Sequence, residues 1–255
     1  MGTAADFPVT HLIDGPMLGL PQLGTAKGTD ASQLGKLLAV IKGCLFDAYN
    51  TTAVADATMT YNAATGRITV PLAAGHGFVD YQIIDIQGAA QTEYNGRFRA
   101  ENTLNDSIEY TPDTTPTITT ATGASITIAG APVGGWQIID IDTNTPPQKM
   151  SIRSTAADAT PYTWIIDNST LGNALGRNFH ARVSCAENYV DLDTWDEVFH
   201  NSWAASNYTI SDEYPDITYM LIADSKMIYF NCSYGYYGRV GQFILGDINS
   251  IVPDD

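Results

Sequence analysis

Between Arg67 and Ile128 the chain repeats one pattern: a short run of branched or aromatic residues, mostly alternating with polar ones, closed by Gly, Asn, Asp or Pro. The runs are Arg67-Ile68-Thr69-Val70, Gln82-Ile83-Ile84-Asp85-Ile86, Arg97-Phe98-Arg99-Ala100, Ser107-Ile108-Glu109-Tyr110 and Ser125-Ile126-Thr127-Ile128. Alternation with a period of two puts every second side chain on one face, so each run reads as a half-buried strand. The punctuation between them is turn chemistry; Asn95-Gly96 suits a tight turn that needs positive φ. Such strands predict a small β-barrel or sandwich, here assigned to residues 61–133 and inserted into a second domain.

The second domain, 29–60 plus 134–255, reads as a mixed, mainly β (α+β) unit. Residues 1–28 carry Pro8, Pro16 and Pro21 among Gly15, Gly19, Gly24 and Gly28. That density of Pro and Gly sustains neither a helix nor a central strand, so an extended N-terminal arm is expected, docked on its own subunit or on a neighbour. Thr29-Asp30 offers a cap for an amphipathic helix from Ala31 to about Tyr49, in which Leu34, Leu37, Leu38, Ile41, Leu45 and Ala48 form one stripe that packs on a sheet. A hairpin is expected around 62–66. After Gly134-Gly135-Trp136, strands are expected at Trp136–Ile141, Lys149–Arg153, Tyr162–Ile166 and His180–Cys185, then a less regular stretch from Trp195 to Trp203. Ile217–Ile222 and Met227–Phe230 flank Ala223-Asp224-Ser225-Lys226 as a hairpin, with Gln242–Ile248 as a third antiparallel partner.

Charge excludes some partners. With 28 acidic and 12 basic residues the formal charge is -16. Nucleic-acid binding depends on Lys and Arg at phosphates, so a direct DNA or RNA partner is not expected, nor is an anionic membrane surface. No apolar run reaches the ~20 residues of a membrane helix, and the opening residues resemble neither a signal peptide nor a myristoylation site. Cys44, Cys185 and Cys232 are widely spaced and odd in number, which reads as reduced thiols of a protein made in a cytoplasm.

Candidate chemistry is sparse. His180 and His200 lie near Cys185, Asp191 and Asp193 in sequence, but no motif supports a Cys-His pair, and no Gly-x-Ser-x-Gly elbow occurs. Asp140-x-Asp142-x-Asn144 resembles the start of a calcium loop without the Gly and Glu that complete one. Glu101, Asp106 and Glu109 could pair as glycosidase carboxylates only if burial raised one pKa. No catalytic residue, metal site or cofactor is therefore assigned, and the chain is not expected to be an enzyme. The one binding candidate is the aromatic loop of Tyr234, Tyr236 and Tyr237 with Arg239, flanked by Gly235 and Gly238. Tyr gives large contact area at low entropy cost, so this loop could pack at a strand end, meet a neighbouring subunit or hold a sugar.

Two resemblances point to a setting. Gly75-His76-Gly77-Phe78, an apolar strand, Gly88, Tyr94-Asn95-Gly96, an aromatic strand and Tyr110 before a Thr-rich tail resemble a β module that recurs in structural proteins of tailed bacteriophages. The copy departs from the usual Val-Gly-Asp type turn at Val79-Asp80-Tyr81. Independently, the Leu37–Leu45 helix, Gly134-Gly135-Trp136, the Lys149–Arg153 strand, His180-Ala181-Arg182-Val183, the Met227–Phe230 strand and the closing Phe243–Ser250 run resemble, in that order, an uncharacterised family of tailed-phage virion proteins. The resemblances imply a non-enzymatic virion structural protein, of the tail or head-to-tail collar, made in the bacterial cytoplasm and packed against copies of itself and neighbouring virion proteins. The alternatives are a receptor-binding adhesin for a host-surface glycan, a capsid decoration protein and, more distantly, a cell-wall hydrolase.

Overall fold

The computed structural model describes residues 11–15, 34–170, 180–203, 218–233 and 240–246. These residues form a mainly β protein with three antiparallel sheets and one α-helix. They divide into two compact units: Asp47–Pro132, and a second that includes the helical segment up to Phe46 and the chain from Val133 onward.

The first unit is one eight-stranded sheet that curls into a half-barrel. Its strands are β2 (Tyr49–Ala53), β3 (Thr58–Asn62), β4 (Arg67–Pro71), β5 (Ile83–Gln87), β6 (Gly96–Thr103), β7 (Ser107–Tyr110), β8 (Thr120–Thr122) and β9 (Thr127–Gly130), in the spatial order β2-β9-β5-β6-β7-β4-β3-β8. The alternating runs place Ile68, Val70, Ile84, Ile86, Phe98, Ala100, Ile108, Tyr110 and Ile128 inward, in one cluster. Phe98 stacks on Tyr110 with ring centroids 4.3 Å apart. Burying a tyrosine requires a partner for its hydroxyl. Tyr110 donates to the Tyr94 carbonyl at 3.0 Å, and Tyr94 donates to the Ile118 carbonyl at 2.7 Å.

The unit starts at Asp47, not at 61, because β2 pairs with β9 and β3 pairs with both β4 and β8. Neither β2 nor β8 follows the apolar alternation that marks the other strands; pairing with neighbours remote in sequence makes them strands. The Asn95-Gly96 pair meets only part of the expectation: Gly96 has the positive φ, at 138°, but the pair is not a tight turn. Asn95 has an extended backbone, and its side chain closes the loop between β5 and β6 by bonding the N–H and carbonyl of Ala89 and the carbonyl of Gln91.

The second unit holds the meander β10 (Trp136–Ile141), β11 (Lys149–Ser154), β12 (Thr163–Thr170), β13 (His180–Asp191) and β14 (Thr194–Trp203). The segment expected to be less regular is a strand in register with β13 from Ala181↔Trp203 to Cys185↔Phe199, and its pairing is irregular beyond that, with register shifts between Cys185 and Ala186, Ala186 and Tyr189, and Tyr189 and Asp191. A further sheet has the order β1 (His11–Gly15), β15 (Thr218–Ala223), β16 (Met227–Ser233), β17 (Val240–Gly246). Within the segment expected as an arm, His11–Gly15 is thus an edge strand.

Helix α1 (Lys36–Leu45) is shorter than its apolar stripe suggests. Gly35 precedes it at φ 74, where a Cβ would lie 2.2 Å from the Pro147 carbonyl oxygen, so only glycine fits this entry. Thr29 and Asp30 lie outside the described residues. Within them, Asn168 of β12 supplies a remote cap: its Oδ1 accepts from the Leu37 N–H at 3.3 Å. Leu37, Leu38, Val40, Ile41, Cys44 and Leu45 are buried, each large aliphatic side chain contributing about 2 kcal/mol. Beyond Leu45 the helix ends, Ala48 is exposed and Tyr49 opens β2.

Candidate functional site: a braced apolar tip

The loop from β4 to β5 carries Gly75-His76-Gly77-Phe78-Val79-Asp80-Tyr81 and faces the turn from β6 to β7 at Leu104–Asp106. Phe78 is buried and anchors the loop in the core. His76, also buried, accepts the Phe78 N–H on Nδ1 at 3.1 Å. Its Nε2 therefore carries the proton and donates to the Leu104 carbonyl at 2.8 Å. One imidazole thus ties the two turns together, and the Asn50 amide holds the His76 carbonyl at 2.7 Å.

Backbone bonds complete the brace: Leu72 N–H to Asp106 O at 2.8 Å and Gly75 N–H to Asn105 O at 3.0 Å. The Asp80 carboxylate accepts the Thr103 N–H at 2.7 Å, and the Tyr81 N–H donates to Ala100 O at 2.7 Å. Buried Gln82 accepts the Val79 N–H at 3.2 Å and donates to the Tyr49 hydroxyl at 3.3 Å.

The braced segments leave large apolar side chains in solvent. Val79 is 44%, Tyr81 67% and Leu104 54% exposed. Tyr81 also has φ 67, a left-handed conformation that costs a non-glycine residue about 1–2 kcal/mol. Its exposed ring returns little burial energy within the module, although Gly or Asn would adopt this backbone more easily. A strained, exposed aromatic on a rigid frame is an arrangement suited to contact, because little ordering remains to be done on binding. The departure at Val79-Asp80-Tyr81 marks this position in the sequence; its backbone strain was not visible there.

The other sequence-derived candidates fall as follows. Tyr234, Tyr236, Tyr237 and Arg239 lie outside the described residues. His180 pairs with Thr170 and His200 with Ser184 in the β12–β13–β14 ladder. Cys185 is buried opposite Phe199, and burial pushes its thiol up to about 11, away from the thiolate a nucleophile needs. Cys44 is likewise pushed up to about 12 by burial, partly offset by a hydrogen bond with Tyr219. Cys232 lies in β16.

The Asp142 carboxylate accepts the N–H groups of Asn144 at 3.2 Å, Gln148 at 3.0 Å and Lys149 at 2.9 Å, and the Asn144 amide at 2.8 Å. It thereby organises the loop between β10 and β11. Asp140 accepts the Ile141 N–H and the Tyr189 hydroxyl. Among the described residues no group of three or more His, Cys, Asp or Glu side chains is placed to hold a metal ion. Glu101 and Glu109 both engage Arg67, at 3.0 and 3.3 Å, on a partly exposed face, and Asn102 also donates to Glu109. Exposed Asp106 lends its backbone carbonyl to the tip. No described helix is long and apolar enough to cross a membrane.

Compared with known proteins, the chain matches no family model, no curated protein and no solved structure.

Proposed function

We propose that this chain is a structural subunit of a tailed bacteriophage particle, in the tail or at the head-to-tail junction, acting by packing against its neighbours and not by catalysis. The observation that carries the proposal is the braced tip: His76, Asp80 and Gln82 hold Val79, Tyr81 and Leu104 exposed on a rigid frame. The two sequence resemblances supply the setting. Mass spectrometry of separated heads and tails tests it. The chain should be recovered in stoichiometric amounts from tails or from the connecting region, and its absence from purified particles would refute the proposal.

A receptor-binding role is the second reading, favoured by the exposed Tyr81 ring beside the Asp80 carboxylate, since an aromatic face next to a polar group suits a sugar. Particles carrying Tyr81→Asn should then assemble normally and fail to adsorb. A packing role predicts defective assembly instead.

A further inference from the structure

We infer that the tip formed by Val79, Tyr81 and Leu104 docks into an apolar hollow bordered by Lys or Arg on a different protein, rather than onto a second copy of this chain. The inference rests on the tip being a contact surface, as above, and adds the chemistry of its occupant.

Charge around the tip decides the partner. Asp80 and Asp106 are exposed on the two turns that carry the apolar residues. No Lys or Arg occurs between Arg67 and Arg97, or between Arg99 and Lys149, so the tip segments contain no positive charge. Of the module's three basic residues, Arg99 is the one exposed near the tip, on β6 opposite Ile83, a single positive charge against the two carboxylates of Asp80 and Asp106. The other two are already engaged. Arg67 is held by Glu101 and Glu109, and Arg97 donates to the Pro132 carbonyl at 3.2 Å. Two tips brought face to face would set carboxylate against carboxylate, with both chains at a formal charge of -16. Like charges placed together across an interface oppose association, whereas a basic rim attracts the acidic one and speeds encounter. The centre of such a contact is apolar and aromatic with charge at its border, the composition seen here.

The brace explains how few residues suffice. The tip backbone is held by the His76 ring, the Asp80 carboxylate and the Gln82 amide before any partner arrives. Tyr81 is then presented in one backbone conformation.

A random-peptide display library panned against the full chain, with the Tyr81→Asn, Leu104→Ser double variant as counter-selection, tests the inference. Both substitutions are at exposed positions, and circular dichroism confirms that the variants fold. Enriched peptides should combine Arg or Lys with Leu, Phe or Trp. A synthetic peptide of the winning sequence should bind the full chain about tenfold or more tightly than either single variant, with affinity falling as salt is raised. Peptides that are neutral or acidic, that bind the double variant equally, or that ignore salt overturn the inference. So does failure to enrich any peptide. Sedimentation of the full chain provides the second arm: self-association abolished by Tyr81→Asn would assign the tip to a second copy instead. Because particle composition is measured separately, the partner's chemistry can fail while the virion proposal stands, and the reverse.

Discussion

Replacing Gly88 by Ala should destabilise the module strongly, and the structure supplies the magnitude. Gly88 has φ 88, and a Cβ there would lie 2.0 Å from the Ser125 carbonyl oxygen. The approach is mutual, since a Cβ on Gly123 would lie 2.2 Å from the Gly88 carbonyl oxygen. The left-handed backbone costs Ala about 1–2 kcal/mol. Moving a backbone carbonyl by about 1 Å, next to the point where β5 joins β9, resembles overpacking at about 1–3 kcal/mol. Restricting the unfolded chain returns about 0.4–1 kcal/mol. The net loss is therefore about 1–4.5 kcal/mol, about 3 at the middle of these ranges, a large part of a small domain's stability.

Gly66→Ala is the control: its φ is 72, but nothing lies within 4 Å of a Cβ, so only the backbone cost of about 1 kcal/mol applies. Urea unfolding separates the units by difference, because tryptophan reports only residues beyond the module while tyrosine reports both units. Trp136, Trp164, Trp195 and Trp203 all lie beyond the module, whereas Tyr49, Tyr61, Tyr81, Tyr94 and Tyr110 lie within it. Gly88→Ala should lower the midpoint of the tyrosine transition that tryptophan does not follow well below that of Gly66→Ala. Equal midpoints for the two variants would refute the close-approach argument.

Other expectations follow from the same contacts. Tyr81→Asn should stabilise the module by about 0.5–1 kcal/mol by relieving the left-handed strain of an exposed residue, checked by the same urea titration; a loss of stability would show the ring to be packed. Tyr110→Phe should cost about 1–2 kcal/mol, because the Tyr94 carbonyl loses its buried donor; thermal unfolding reads this directly. Asn168→Leu should weaken the second unit by about 1 kcal/mol by leaving the Leu37 N–H unpaired at the start of α1, seen in tryptophan-detected unfolding. Stability should also fall at alkaline pH. Burial holds Cys44, Cys185, Tyr94, Tyr110 and Tyr189 neutral in the fold by raising their pKa values, so their contribution is fully present below the unfolded thiol and phenol values and is lost as pH rises through the folded ones. Unfolding free energy should hold level near neutrality and drop above about pH 9, by up to about 1.4 kcal/mol per pH unit for each group in its window. Lys149, raised first by its hydrogen bond to Asp193, acts in the same direction. Cys44→Ala with Cys185→Ala should remove the earliest part of the fall, and an unchanged profile would show that the thiols do not contribute.

Several features were legible because they are local. The period-two runs from Arg67 to Ile128 marked β4, β5, β7 and β9 to within two residues and β6 to within three. Alternation and turn chemistry likewise marked the hairpin of β15 and β16, and a helical stripe marked α1. What those signals could not contain is partner identity. Tyr49-Asn50-Thr51-Thr52-Ala53 has no alternation, yet β9 makes it a strand, and β8 is a strand because β3 lies beside it. The Trp195–Trp203 stretch is a strand in the same way, through β13, although its pairing keeps register shifts towards the Trp195 end.

Composition and periodicity by themselves determined that the chain is mainly β, acidic and organised around a strand-rich inserted stretch, since these depend on residues close together in sequence. Only the tertiary structure decided where the module begins, what caps the helix and which side chains are left in solvent. Leu104 is an unremarkable leucine in sequence, and it becomes part of a site because the His76 ring, brought across from another turn, fastens to its carbonyl. Contacts of that kind join residues far apart along the chain, and local pattern carries no record of them.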